Sequence, residues 1–168
     1  AIDYIRNLHF SEEDIDYLRG RGMFSEAFLD YLRHFKFTGD VWAMPEGTPV
    51  FPREPIMVIR APAIQAQLLE TFLLLTINHQ SLIATKANRI VRAADGRVVL
   101  ELGSRRAQGP DAAVLGARAA FIGGCAGTAC VLSDQIYGVA AGGTMAHAWV
   151  QMFPTQLDAF RAYCKTYP

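Results

Sequence analysis

Between Val98 and His147 one pattern recurs: a short apolar run, a loop holding glycine, then a helical stretch. Val98-Val99-Leu100-Glu101-Leu102 is followed by a loop over 103–109, and Pro110 opens a predicted helix through Ala120. Ala119-Ala120-Phe121-Ile122 leads to Gly123-Gly124, with Thr128 as the expected cap of a helix that Gly138 ends. Val139-Ala140-Ala141 leads to Gly142-Gly143-Thr144, and a further helix is expected to begin near His147. Units recurring about every twenty residues are too short to be domains and suit parallel βα packing. The continuous apolar run over 98–102 predicts a strand buried on both faces. The class is α/β. An eight-fold barrel needs about 250 residues, so residues 97–168 are expected to supply only its opening arc, the first three βα units.

Residues 1–96 have a different character. Ser11-Glu12-Glu13-Asp14 places a hydroxyl cap before acidic residues that favour a helix N-terminus, and Gly20 and Gly22 end that helix. Ser25 caps a second helix with Phe28, Leu29 and Leu32 on its buried side, so a structural helical hairpin is expected. Residues 41–44, 50–51 and 56–59 read as short strands. Pro52 and Pro55 cannot donate to a central ladder, and a small β-sandwich-like unit follows. From Ala63 to Ala93 there is neither Gly nor Pro, which predicts one long helix, bent or broken near Asn78. Leu68, Phe72 and Leu75 form one stripe, and His79, Leu82, Lys86 and Ile90 are expected to continue roughly the same face. Asp95-Gly96 is a turn. The chain opens within a helical pattern without Met and stops at Tyr167-Pro168 just after another, so both ends are expected to be cut.

Charge narrows the function. Sixteen basic and sixteen acidic residues cancel, which argues against a nucleic-acid-binding face. No apolar run reaches the roughly 18–20 residues that span a bilayer, and no signal peptide opens the chain. Cys125, Cys130 and Cys164 are odd in number and lack metal-ligand spacing, so free, inert thiols in a reducing cytoplasm are expected, with no protein-held metal.

In parallel βα architectures ligands bind at the carboxyl ends of the strands. There the expected arrangement gathers Arg105-Arg106, Gly123-Gly124, and Gly142-Gly143-Thr144 with His147. Arginine offers a planar fork for phosphate or carboxylate. The alternative is a solvated pair, with Glu101 near enough to neutralise it. Backbone N–H groups of a Gly-Gly-Thr loop can cradle phosphate oxygens beside the His147 imidazole; the alternative there is a packing or capping histidine. Glu101 is a candidate to orient an arginine or to act as an acid. His9, His34 and His79 read as surface or packing residues, and Lys86 as a helix-surface lysine. No G-x-G-x-x-G and no Walker A pattern is present, which disfavours Rossmann and P-loop nucleotide sites.

These residues also resemble a family, the nicotinate phosphoribosyltransferases. The likeness lies in Phe37-Thr38-Gly39-Asp40-Val41 with Pro45-Glu46-Gly47-Thr48, in Gln67-Leu68-Leu69-Glu70-Thr71, and in Leu82-Ile83-Ala84-Thr85-Lys86-Ala87. It continues in Glu101-Leu102-Gly103-Ser104-Arg105-Arg106-Ala107-Gln108-Gly109-Pro110 and Gly143-Thr144-Met145-Ala146-His147, the two most specific stretches.

The resemblance implies an N-terminal α/β-sandwich domain packed on an irregular α/β-barrel, in a cytoplasmic homodimer with shared active sites. It implies joining of nicotinate to 5-phosphoribosyl 1-pyrophosphate, giving nicotinate mononucleotide and pyrophosphate, with Mg2+ and coupled ATP hydrolysis. On that pattern His147 takes a phosphoryl group from ATP, Thr144 touches nicotinate, and Arg105 lines the same pocket, with Arg106, Gly143 and Glu101 as further substrate-binding candidates. The chain departs from the family at Cys125-Ala126-Gly127-Thr128-Ala129-Cys130 and at Ala148, where polar residues are usual. The aromatic that stacks on nicotinate and the later barrel strands lie outside these residues, so the segment alone is expected to be inactive. Rivals are a nicotinamide or quinolinate phosphoribosyltransferase, or a degenerate relative without activity. Ala129, where an amide-binding enzyme would favour aspartate, leans towards nicotinate.

Overall fold

Hydroxyl caps start two of the three helices near the N-terminus. In the computed structural model, which describes residues 1–168, α1 spans Ile2–Asn7 and α2 spans Glu12–Gly20. Ser11 and Asp14 close a reciprocal capping box on α2, and Ser25 accepts from the Phe28 N–H at the start of α3, Glu26–Arg33. The predicted hairpin is present. Ile15, Leu29 and Leu32 form its buried centre, with Phe10, Leu18, Phe28, Tyr31 and Leu68 around them. Exposed ion pairs join the two helices, Arg33 to Glu12 at 2.8 Å and Arg19 to Glu26 at 3.1 Å; such pairs add little stability on a surface.

Strand β1, Asp40–Ala43, pairs antiparallel with β2, Met57–Arg60, placing Val41 opposite Ile59. Val50 and Phe51 are exposed and lie outside any strand, so this segment is one two-stranded ladder rather than two facing sheets. Val41, Met57 and Ile59 pack with Phe37 and Phe72 on the buried Ile5, Leu69 and Leu73.

Helix α4 spans Ala63–Ala93, as the absence of Gly and Pro requires, and runs unbroken past Asn78. Its buried residues differ from the expected stripe: Leu69, Leu73 and Ala87 are buried, whereas Leu75, Leu82 and Ile90 are exposed. Leucines at 73, 74 and 75 surround the helix with apolar side chains, so spacing alone does not choose a face. The chain divides into two compact units, Ala1–His79 and Gln80–Pro168. No helix is long and apolar enough to cross a membrane.

The second unit holds the repeating pattern. Strand β3, Leu100–Glu101, pairs parallel with β4, Gly127–Thr128, and Thr128 makes a parallel bridge to Ala141. Three parallel segments thus lie side by side in the order 100–101, 127–128, 141. Helix α5, Pro110–Ile122, begins at the predicted proline but continues through 119–122, where a strand was expected. Gly123 and Gly124 therefore precede β4 instead of following it. Val99 packs near Ala87, Ala120 and Cys125, while Val98, Leu100 and Leu102 are exposed, so β3 is covered on one face only. Helix α6, Val131–Tyr137, ends at Gly138 in the left-handed region, and α7, His147–Val150, leads to α8, Gln156–Thr166. Trp149 packs edge-on against Phe153 and Tyr163 and joins the last two helices.

Candidate functional site

Parallel pairing gives the three segments a common direction, so the residues that leave their carboxyl ends emerge on the same side of the sheet. These are 102–109 after β3, 129–130 after β4, and 142–146 after the bridge at Ala141. Arg105 and Arg106 belong to the first, Gly143 and Thr144 to the third, and His147 opens the short helix beyond it. Gly123 and Gly124 fall at the amino end of β4 and drop out of this rim.

The close lateral spacing depends on glycine. A Cβ at Gly127 would lie 2.5 Å from the Ala140 carbonyl oxygen, so β4 approaches the third segment only because position 127 has no side chain. Backbone bonds fix the register: Thr128 N–H donates to Ala140 O at 3.0 Å, Gly142 N–H to Thr128 O at 2.8 Å, and Ala129 N–H to Glu101 O at 2.9 Å. Asp134 on α6 accepts from the Ala141 N–H at 3.2 Å, which ties the third strand end to the helix.

Ser104–Arg106 form one 3-10 turn, closed by Arg106 N–H on Gly103 O at 2.8 Å and Ala107 N–H on Ser104 O at 3.2 Å. Both arginines are exposed, and neither forms an ion pair within the chain. Neutralisation by Glu101 does not occur, because that carboxylate is engaged elsewhere: Oε1 accepts from the Gly103 N–H at 2.5 Å and Oε2 from the Thr128 hydroxyl at 2.6 Å. Ser104 Oγ is buried without a partner.

In the third loop the Gly142 N–H is taken by Thr128, while the Gly143 and Thr144 N–H groups have no partner in the chain. The Thr144 hydroxyl makes only a long contact, 3.4 Å, to Met145 O. His147 is exposed and is neither a core nor a side-chain capping residue, since α7 has no side-chain cap. With four residues, α7 adds little macrodipole, so anion attraction at this loop must come from local N–H groups. His9 and His34 are exposed and bonded locally, to Asn7 O at 2.8 Å and Asp30 O at 2.9 Å.

Spacing did not reveal Thr128. It is not a helix cap but a strand residue, fully buried, whose hydroxyl accepts from the Cys130 N–H at 2.9 Å while donating to Glu101. A two-residue strand beginning in glycine carries no periodicity from which to find it. Burial pushes the Cys125 thiol above its ordinary range, with the Glu101 charge adding to the shift, so its thiolate is disfavoured.

Residues 1–78 match the nicotinate phosphoribosyltransferase (NAPRTase) N-terminal domain. The chain is 48% identical over its whole length to nicotinate phosphoribosyltransferase pncB2 of Mycobacterium tuberculosis, and 45% identical over 99% of its length to the nicotinate phosphoribosyltransferase of Bacillus subtilis. It spans 36% and 34% of those proteins, about a third of each. Among solved structures, human nicotinic acid phosphoribosyltransferase aligns over 90% of this chain and 31% of its own, at 34% identity and a TM-score of 0.81. A nicotinate-nucleotide pyrophosphorylase from Pyrococcus furiosus aligns over 76% of this chain and 32% of its own, at 38% identity and a TM-score of 0.70. An α/β chain alike in sequence over all its residues and in fold over nine tenths of them belongs to the nicotinate phosphoribosyltransferase family.

Proposed function

We propose that these residues serve the joining of nicotinate to 5-phosphoribosyl 1-pyrophosphate, within NAD salvage, as part of a nicotinate phosphoribosyltransferase. One observation carries this: two arginines without carboxylate partners, the free N–H groups of Gly143 and Thr144, and the exposed His147 follow adjacent parallel strand ends. In the reaction the ring nitrogen of nicotinate bonds to C1 of the ribose. The bond from C1 to pyrophosphate breaks, and its electron pair leaves with the pyrophosphate. Negative charge grows on the leaving group, which is where guanidinium forks act. Arg105 and Arg106 are assigned to that charge or to the nicotinate carboxylate, Gly143 and Thr144 to substrate contact through N–H and hydroxyl groups.

His147 is assigned as the residue that takes the γ-phosphoryl group of ATP on an imidazole nitrogen, with ADP leaving. The Gly143 and Thr144 N–H groups, without partners in the chain, are assigned to donate to the phosphoryl oxygens. Later hydrolysis of that N–P bond would couple ATP to substrate affinity. The residues present do not build a magnesium site: no group of three or more His, Cys, Asp or Glu could hold a metal, and both Glu101 oxygens are engaged. Magnesium is accordingly assigned to the phosphates of the substrates, and no step is given to a metal held by these side chains. A cytoplasmic homodimer with shared sites completes the proposal, resting on the family resemblance.

The test carries these residues in a chain of the relatives' length and incubates it with ATP labelled at the γ-phosphate. An acid-labile, base-stable label that disappears in His147→Ala is expected, and equal labelling of both would overturn the assignment. Competition among nicotinate, nicotinamide and quinolinate in the same assay separates the substrate classes.

A further inference from the structure

A line of hydrogen bonds runs from the interior of the second unit to the loop bearing the two arginines. Thr128, 0% exposed, donates to Glu101 Oε2 at 2.6 Å, and Glu101 Oε1 accepts from the Gly103 N–H at 2.5 Å. Gly103 in turn offers its carbonyl to the Arg106 N–H at 2.8 Å. Thr128 is itself fixed, because its hydroxyl also accepts from the Cys130 N–H and its backbone is bonded on both sides in the parallel register. A charge-assisted bond between buried or half-buried partners is stronger than a neutral one on the surface. The carboxylate is thus held between a rigid strand and the loop that bears the two arginines.

Gly103 is the residue through which the hold is transmitted. A Cβ there would stand 2.8 Å from Glu101 Oε1, so a side chain at 103 forces the carboxylate to shift from its place on the Gly103 N–H. Its φ of −86° is ordinary, which leaves this close approach, rather than backbone strain, as the reason for glycine.

We propose that Thr128 is a positioning residue: through Glu101 and Gly103 it holds the 103–106 turn in place, so that Arg105 and Arg106 meet a pyrophosphate-class anion already ordered. An arginine fork that must be ordered on binding loses affinity to the entropy of ordering, and a pre-set one does not. The inference rests on the anion-binding role proposed above for the two arginines. Glu101 then acts on substrate indirectly, by way of the turn.

The experiment uses a chain of the relatives' length that carries these residues, and inorganic pyrophosphate as probe, with calorimetric titration and amide hydrogen exchange at Arg106 and Ala107. Thr128→Val keeps the shape and removes the hydroxyl, Thr128→Ser restores it, and Gly103→Ala breaks the same line at an exposed position that leaves the core untouched. Thr128→Val and Gly103→Ala are expected to weaken pyrophosphate binding by about tenfold per folded molecule and to speed exchange at Arg106 and Ala107. Thr128→Ser should stay near wild type in both. Should Thr128→Val fail to fold, Gly103→Ala alone decides. Wild-type exchange and affinity in Gly103→Ala would overturn the proposal, as would equal loss in Thr128→Ser and Thr128→Val. Failure of the wild-type chain to bind pyrophosphate would instead sink the anion-binding role of the arginines, and with it their positioning for an anion, while normal binding with a silent Gly103→Ala sinks the positioning alone.

Discussion

Gly127→Ala should damage the second unit, because its added methyl group meets neighbouring backbone in a buried place. The new Cβ would sit 2.5 Å from the Ala140 carbonyl oxygen and 3.5 Å from Leu100 Cδ2. The first contact is about an ångström inside ordinary separation, and its partner is backbone, which cannot rotate away. Relief requires β4 and the third segment to separate, breaking the bonds of Thr128 to Ala140 and of Gly142 to Thr128. Overpacking of this kind costs about 1–3 kcal/mol, and each lost backbone bond about 1 kcal/mol more. For a chain of this length 1 kcal/mol moves the melting midpoint by about 2–4 °C. A fall of roughly 6–20 °C is therefore expected by calorimetry. Gly20→Ala, on an exposed helix position with nothing within 4 Å, is the control and should be neutral or stabilising. If Gly127→Ala melts with wild type, residues 140–141 do not lie against β4, and the shared rim loses its basis.

Arg105→Ala should weaken the pyrophosphate or nicotinate interaction by about tenfold, or about 1.4 kcal/mol, read as Kd for the chain or KM for the enzyme; an unchanged value returns Arg105 to the solvent. Alkylation at pH 8 should label Cys164 first, Cys130 next and Cys125 last, following exposure and the raised Cys125 thiol; rapid labelling of Cys125 would contradict its burial. Hydrogen bonds from Arg33 to Glu12 and from Ser11 to Asp14 hold both carboxyls below their ordinary range. Their contribution is present at neutral pH and lost as pH falls through those lowered values, so acid titration followed by circular dichroism should show loosening of α2 and α3 there, shifted upward in Ser11→Ala.

How much of this was legible beforehand depended on the kind of signal. Caps at Ser11 and Ser25, the proline at 110 and the unbroken helix over 63–93 are local, and local chemistry fixes them wherever the rest of the chain goes. Strand β4 was not local. It holds two residues, one of them glycine, and exists because β3 and Ala141 lie on either side of it. The apolar 119–122 run looked more like a strand and is the tail of α5. Likewise Leu75, Leu82 and Ile90 fitted a stripe on α4, but the buried side was set by what packs there. Arg105, Thr144 and His147 could be proposed for the site because loop glycines and cations mark strand ends. Thr128 and Asp134 could not, since their partners Glu101 and Ala141 are distant in sequence or set by the fold.

The claim beneath all of these is that the loops after neighbouring parallel strands hold one anion in common. Amide chemical shifts recorded while pyrophosphate is titrated into the isotope-labelled chain test it directly. Residues 104–107 and 143–147 should move together, with one shared Kd, while Gly123 and Gly124 at the opposite strand end stay still. Movement of one loop alone, two distinct affinities, or shifts centred on Gly123 and Gly124 would contradict it.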